Sequence, residues 1–132
     1  MHEIKTRILV ADPDPDVSTT LKLYFEAHGH EVKVEQDLYK LVGVARQWQP
    51  HTILVSTEFE DADPYLVCSD LLQDTLTAHI PIVLMLHLDD RMVRLEALEV
   101  GVDDIVTKPL DIEELRLRVE ALIRFSTVRI GA

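Results

Sequence analysis

The stretch Pro81-Ile82-Val83-Leu84-Met85-Leu86 is apolar at every position. Such a continuous run is typical of a strand in a parallel sheet that has both faces covered. The stretch Thr52-Ile53-Leu54-Val55 is a second run of the same kind. We therefore predict that these segments are central strands of a parallel sheet with helices packed on both sides.

Strand and helix signals alternate on both sides of these two runs. Further strands are predicted over residues 4–10, 31–34 and 105–106, and residues 31–34 alternate charged and apolar side chains as an edge strand does. Apolar residues at helical spacing follow each strand. The expected capping residues before the helices are Asp14, Asp37, Asp89 and Asp111. Five strand–helix repeats predict an α/β fold, a five-stranded doubly wound parallel sheet.

Length, net charge and cysteine content restrict the class of protein. A chain of 132 residues suits one domain, which we predict over residues 1–125, with residues 126–132 as a tail or the start of a linker. The net charge of -11 argues against direct nucleic acid binding by this domain. Cys68 is alone, which excludes an internal disulfide and fits a reducing cytoplasm. The sequence lacks an apolar segment long enough to span a membrane, and residues 1–7 do not resemble a signal peptide.

Polar residues stand where several predicted strands end. Asp12, Ser56, His87 and Lys108 each lie at or just past such an end. Because the carboxyl ends of parallel strands share one edge of a sheet, we expect these side chains to lie close together. An acid and an amine suit a phosphate and metal site, but the third strand ends in a hydroxyl. Pairing of Asp12 with Lys108 is the simplest role for both residues.

Several segments together resemble a known family. They are residues 8–15 (Ile-Leu-Val-Ala-Asp-Pro-Asp-Pro), 50–55, 61–63, 80–83 and 101–110 (Gly-Val-Asp-Asp-Ile-Val-Thr-Lys-Pro-Leu). Over nearly its whole length the chain resembles the receiver domain of bacterial two-component response regulators. The resemblance implies a flavodoxin-like (βα)5 fold with strand order 2-1-3-4-5. It also implies a regulatory module, not an enzyme, whose partners are a histidine kinase, an output domain or another receiver.

The resemblance also locates the phosphorylation site. Family members take a phosphoryl group on an aspartate that ends the third strand, and Ser56 occupies that position here. The family holds Mg²⁺ with two adjacent acids after the first strand, and these positions are Asp12 and Pro13. We expect weak Mg²⁺ binding or none, with Asp12 and Glu58 as the ligands at most, and no other cofactor.

Two more positions depart from the family pattern and two keep it. Leu86 replaces the Ser or Thr that contacts the phosphoryl group, and Ile105 replaces the switch aromatic. Lys108 and Pro109 are retained, and the resemblance implies a cis bond between them. The departures affect a single mechanism, so we predict a degenerate receiver, or pseudo-receiver, that acts without phosphorylation.

Other interpretations remain open from the sequence. Another carboxylate, Glu58 or Asp61, could accept the phosphoryl group. Ser56 could be modified by a Ser/Thr kinase or could bond nearby backbone. A flavodoxin-like small-ligand binder or enzyme is a third possibility, although an acidic, stiff loop after the first strand and only four glycines disfavour phosphate binding.

The last helix–strand–helix segment carries charges of both signs. In family members attached to winged-helix transcription factors, the resembling face forms a two-fold homodimer with charge pairs across it, and Asp104 and Arg118 match positions used in such pairs. Self-complementary patches of mixed charge suit two-fold contacts, although a solvated face explains the same pattern. The predicted interface residues are Arg91, Arg94, Glu96, Asp103, Asp104, Arg116, Arg118 and Glu120.

Overall fold

The structure, a computed structural model, describes residues 5–87 and 90–131, the last five of them as backbone only. Strands and helices alternate along the chain as the sequence predicts. The elements are β1 (Arg7–Ala11), α1 (Pro15–Ala27), β2 (Glu31–Glu35), a 3₁₀ turn (Leu38–Lys40), α2 (Leu41–Trp48), β3 (Thr52–Ser56), α3 (Pro64–Gln73), β4 (Ile82–Leu86), α4 (Arg91–Val100), β5 (Asp104–Thr107) and α5 (Ile112–Gly131).

The five strands form one parallel sheet in the order β2-β1-β3-β4-β5, which confirms the predicted topology. β2 lies at an edge, as its alternating pattern indicates. The register pairs Ala11 with Val55, and Ser56 with Met85. This register places the ends of β1 and β3 side by side, so residues that follow them share one edge of the sheet.

Two apolar cores lie on opposite faces of the sheet because successive strand residues point to opposite sides. β3 and β4 are buried at every position, as their apolar runs predict. On one face, Ile53 and Leu84 belong to a core completed by residues of α2 and α3. On the other face, Leu54 and Met85 belong to a core completed by residues of α1 and α5.

Helix caps fix where the loops begin. The Asp14 side chain accepts a hydrogen bond from the Asp16 amide, and Pro15 fills the first helical position of α1. Asp111 likewise accepts from the Glu114 amide at the start of α5. Gly101 ends α4 with a φ of 97°, a left-handed conformation that glycine adopts without strain.

Some element boundaries differ from the prediction. Asp90 caps α4 through the Val93 amide, whereas the predicted cap, Asp89, lies outside the described residues. Asp37 caps the 3₁₀ turn that leads into α2, and its side chain accepts a hydrogen bond from the Tyr39 amide. β1 begins at Arg7, not at residue 4, which also lies outside the described residues.

The last helix is longer than expected. α5 continues to Gly131, so the segment after residue 125 extends the helix as far as the structure describes it. That this segment starts a linker stays a prediction. Within residues 5–87 and 90–131, no helix combines the length and hydrophobicity that crossing a bilayer requires.

Candidate functional site

Lys108 connects the ends of three strands. Its Nζ donates hydrogen bonds to Asp12 Oδ2 at 2.8 Å and to Ser56 Oγ at 3.1 Å. Asp12 and Ser56 are fully buried, and the Lys108 side chain is 10% exposed. The prediction that the strand ends bring an acid, a hydroxyl and an amine together is therefore confirmed, as is the pairing of Asp12 with Lys108.

Both carboxylate oxygens of Asp12 are engaged. Oδ1 accepts from the Asp14 amide at 2.9 Å, while Oδ2 accepts from Lys108. The Asp12 carbonyl accepts from Ser18 Oγ at 3.0 Å. These contacts hold the first loop closely against the sheet and leave Asp12 as a buried ion-pair partner.

Glu58 and His87 extend this site toward solvent. Glu58 Oε1 lies 3.2 Å from Lys108 Nζ and 2.8 Å from His87 Nδ1. The Glu58 amide donates to Ser56 Oγ at 3.1 Å, and the His87 amide donates to Thr57 Oγ1 at 3.0 Å. The sequence associated Glu58 with this site only as a weak metal ligand or an alternative acceptor. It did not predict the contacts with Lys108 and His87, because loops have no periodicity from which a side-chain direction could be inferred.

The two carboxylates that the sequence offered as Mg²⁺ ligands, those of Asp12 and Glu58, both contact Lys108. Mg²⁺ prefers octahedral oxygen coordination from carboxylates, waters and phosphate. The ammonium of Lys108 lies between the two nearest carboxylates, those of Asp12 and Glu58. Pro13 contributes no side-chain oxygen. In the described part of the chain, no group of three or more His, Cys, Asp or Glu side chains could hold a metal ion.

Leu86, Ile105 and Pro109, further positions that the resemblance singles out, carry apolar side chains. Leu86 is fully buried at the end of β4 and pairs with Thr107 of β5. Ile105 is half-buried and packs against the core that contains α2 and α3. The Lys108–Pro109 peptide bond is cis, as the resemblance implies.

A cleft of about 520 Å³ opens beside Lys108, between the start of α1 and the β5–α5 loop. Val17, Leu21 and Leu110 give it apolar walls, and Asp14 and Asp16 add negative charge. Lys108 and Glu58 also line the cleft, so it carries charges of both signs and not the uniformly basic surface that attracts phosphate.

The predicted interface residues fall into two groups. Arg118 pairs within the chain with Asp104 at 3.1 Å and with Glu114 at 3.0 Å, on the side of α5 that faces β5. Arg94 of α4 donates to Thr107 Oγ1 at 3.3 Å on the same side. Arg91 and Glu96 are exposed on α4. The Asp103 carboxylate accepts from the Ile82 amide at 2.8 Å and so fixes the start of β4.

Arg116 and Glu120 lie on the other side of α5, and their assignment to the α4–β5–α5 face is wrong. Arg116 Nε donates to the Tyr24 hydroxyl at 3.3 Å, and Glu120 Oε2 lies 2.9 Å from His30 Nε2. Arg116 also pairs with Glu120 at 3.1 Å. Burial alone would raise the pKa of Glu120, but the hydrogen bond from His30 and the charge of Arg116 outweigh it and lower that pKa.

Cys68 behaves as the sequence predicts. It lies on α3 and is fully buried in the core. Burial, with a smaller contribution from the charge of Asp63, raises the pKa of the thiol to about 12. A thiol that is protonated and shielded from solvent is inert, so Cys68 serves as a small hydrophobic side chain.

Comparison with known proteins agrees with this geometry. The sequence model of the response regulator receiver domain matches residues 8–120. The chain is 35% identical over 118 residues to the DNA-binding dual master transcriptional regulator RpaA of Synechocystis sp.. The aligned region covers 89% of this chain and 49% of RpaA. It is 35% identical over 125 residues to the response regulator PleD of Caulobacter vibrioides, covering 95% of this chain and 28% of PleD. The chain thus spans about half, or less, of the length of these relatives.

A solved structure with a related sequence has the same fold. The BeF3-activated N-terminal receiver domain of Klebsiella pneumoniae RstA is 28% identical and superposes with a TM-score of 0.82. The match covers 90% of this chain and 99% of that domain. The parallel sheet, the Asp12–Lys108 pair at its edge and the family match over residues 8–120 lead to one conclusion. The chain belongs to the response regulator receiver domain family of two-component signalling.

Proposed function

We propose that this receiver module signals through protein–protein contacts and does not pass through a phosphorylated state. The observation that carries the proposal is the residue at the end of β3. Ser56 is fully buried there, and its Oγ accepts from Lys108 Nζ and from the Glu58 amide. A serine hydroxyl attacks a phosphoryl donor well when a base takes its proton. Lys108 donates to this oxygen and so does not serve as that base.

Other positions support the same proposal. Pro13 and Leu86 lack the side-chain oxygens that a metal and a phosphoryl group would contact, and Ile105 lacks an aromatic ring that could switch. Because Asp12 already binds Lys108, we propose that Mg²⁺ binds weakly or not at all. The scaffold is kept while the chemistry around it is altered at several independent points, which suits a constitutive binding module.

The partners that suit such a module are proteins. A net charge of -11 makes this domain a poor DNA ligand, so we propose that any DNA binding, as in a regulator like RpaA, belongs to an output domain outside this chain. A histidine kinase or another receiver are the other candidates. The face with Arg91, Arg94, Glu96, Asp104 and Arg118 remains the proposed site for a homodimer.

Incubation with acetyl phosphate and Mg²⁺, followed by intact-protein mass measurement, tests the proposal. We expect no gain of one phosphoryl mass in the wild type, whereas an active receiver treated in parallel gains it. A base-labile gain would refute the proposal. Repeating the assay with Glu58→Gln and Asp61→Asn variants would then show whether one of these loop acids is the acceptor, since the adduct would vanish with its residue.

A further inference from the structure

One oxygen of Glu58 lies between two nitrogen groups from different loops. Glu58 Oε1 is 2.8 Å from His87 Nδ1, which follows β4, and 3.2 Å from Lys108 Nζ, which follows β5. The Glu58 side chain is 24% exposed and the Lys108 side chain 10%. A surface carboxylate in an acidic loop would extend into water, so this inward position needs a cause.

Lys108 does not need Glu58 to neutralise its charge. Asp12, fully buried and 2.8 Å away, already supplies one negative charge for the one positive charge. A second carboxylate on the same ammonium adds repulsion from Asp12, because the two acids share a partner. His87 gives the Glu58 carboxylate a second nitrogen partner, at 2.8 Å. Lys108 and His87 therefore form a cradle that favours an oxyanion beyond the Asp12–Lys108 pair.

We propose that the Glu58 carboxylate is a resident anion, which permanently fills an oxyanion site formed by Lys108 and His87. This inference rests on the proposed function, since an incoming phosphoryl group at Ser56 would meet the same Lys108 ammonium, which lies 3.1 Å from Ser56 Oγ. Glu58 supplies from within the chain a negative charge that the family receives from outside, and it keeps the site in one arrangement.

The resident anion also joins three loops. The His87 amide donates to Thr57 Oγ1 at 3.0 Å, and the Lys108 amide donates to the Leu86 carbonyl at 2.9 Å. These hydrogen bonds link the β3–α3 loop to the end of β4 and the end of β4 to that of β5. The Glu58 side chain adds a direct link from the first of these loops to both of the others. Removing it should leave the cradle standing and empty, able to take a small oxyanion.

Chemical rescue tests this directly. Glu58→Ala removes the carboxylate, and sodium formate is titrated against sodium chloride at matched ionic strength while the thermal midpoint is recorded. We expect formate to raise the midpoint of Glu58→Ala saturably by about 2–4 °C, the effect of a ligand present at several times its Kd. Glu60→Ala is the matched control, because it removes the same charge from an exposed position in the same loop.

Two further results decide the outcome. Glu58→Gln, whose amide fills the same volume, should show no formate response beyond that of the wild type and Glu60→Ala. Formate should also shift the backbone amide resonances of Thr57 and His87 in Glu58→Ala, a readout that does not depend on the stability of the variant. An equal response in all proteins, or none in Glu58→Ala, would overturn the resident-anion proposal. A phosphoryl adduct on wild-type protein would overturn the proposed function instead, so the two failures are distinguishable.

Discussion

Replacing Lys108 with methionine should strongly destabilise the fold. Methionine keeps most of the apolar stem and removes the ammonium, which leaves the fully buried Asp12 without its partner at 2.8 Å. At an effective dielectric constant of about 20, the lost attraction is roughly 6 kcal/mol before desolvation is counted. Removing one partner of a buried pair typically costs about 3–5 kcal/mol. The Asp14 amide still bonds Asp12, so we expect about 3 kcal/mol.

The double variant Asp12→Asn/Lys108→Met isolates the charge effect. With both charges gone, nothing ionised is left buried without a partner, so the double variant should be about 1–2 kcal/mol more stable than Lys108→Met alone. Urea unfolding monitored by circular dichroism gives these free energies, provided that the slope of the unfolding free energy against urea concentration is the same in all variants. Lys22→Met is the control, because Lys22 pairs with Glu26 at a half-exposed site and should cost less than about 1 kcal/mol. A Lys108→Met cost equal to that of Lys22→Met, or additive single costs, would refute the reasoning.

Three further predictions concern regions away from the site. The folded-state pKa of Glu120 lies below its unfolded value, so its contribution to stability is present above the unfolded pKa and is lost as pH falls through the folded pKa. The free energy of unfolding of Glu120→Gln should therefore fall less steeply than that of the wild type as the pH is lowered. An equally steep fall in both proteins would contradict this prediction. Gly43→Ala, within α2 and with no atom near the new methyl group, should stabilise the fold by about 0.5–1 kcal/mol. Gly101→Ala, at a φ of 97°, should destabilise the fold by about 1 kcal/mol. Equal shifts of the urea midpoint in the two variants would argue against this explanation from backbone conformation. Cys68, with a thiol pKa of about 12, should react with a thiol reagent in urea but not in the folded protein.

The sheet and its edge could be predicted because their signals are local and periodic. The runs that become β3 and β4 are apolar throughout, and burial on both faces follows from that pattern. The meeting of Asp12 with Lys108 followed from one rule, that parallel strands end at a common edge. These parts of the site depend on strand ends, whose positions the sequence marks clearly.

The remainder of the site depends on geometry that the sequence does not mark. The contacts of Glu58 with Lys108 and His87 are made by loop residues, whose direction is set by the path of the loop. Adjacent acids made the cap of α4 ambiguous, and Asp90 performs that role. The side of α5 was recoverable in principle: positions 116 and 120 are four apart and share one stripe of the helix, while position 118 lies about half a turn away.

A titration with beryllofluoride tests most directly whether the end of β3 can hold a phosphoryl group. Beryllofluoride is the ligand in the activated RstA receiver domain, to which this chain is similar. We expect backbone amide resonances of Ser56, Thr57 and Lys108 to stay unchanged when Mg²⁺ and beryllofluoride are added together. Saturable shifts at these residues, absent with Mg²⁺ or fluoride alone, would show a functional phosphoryl site and contradict the phosphorylation-independent function.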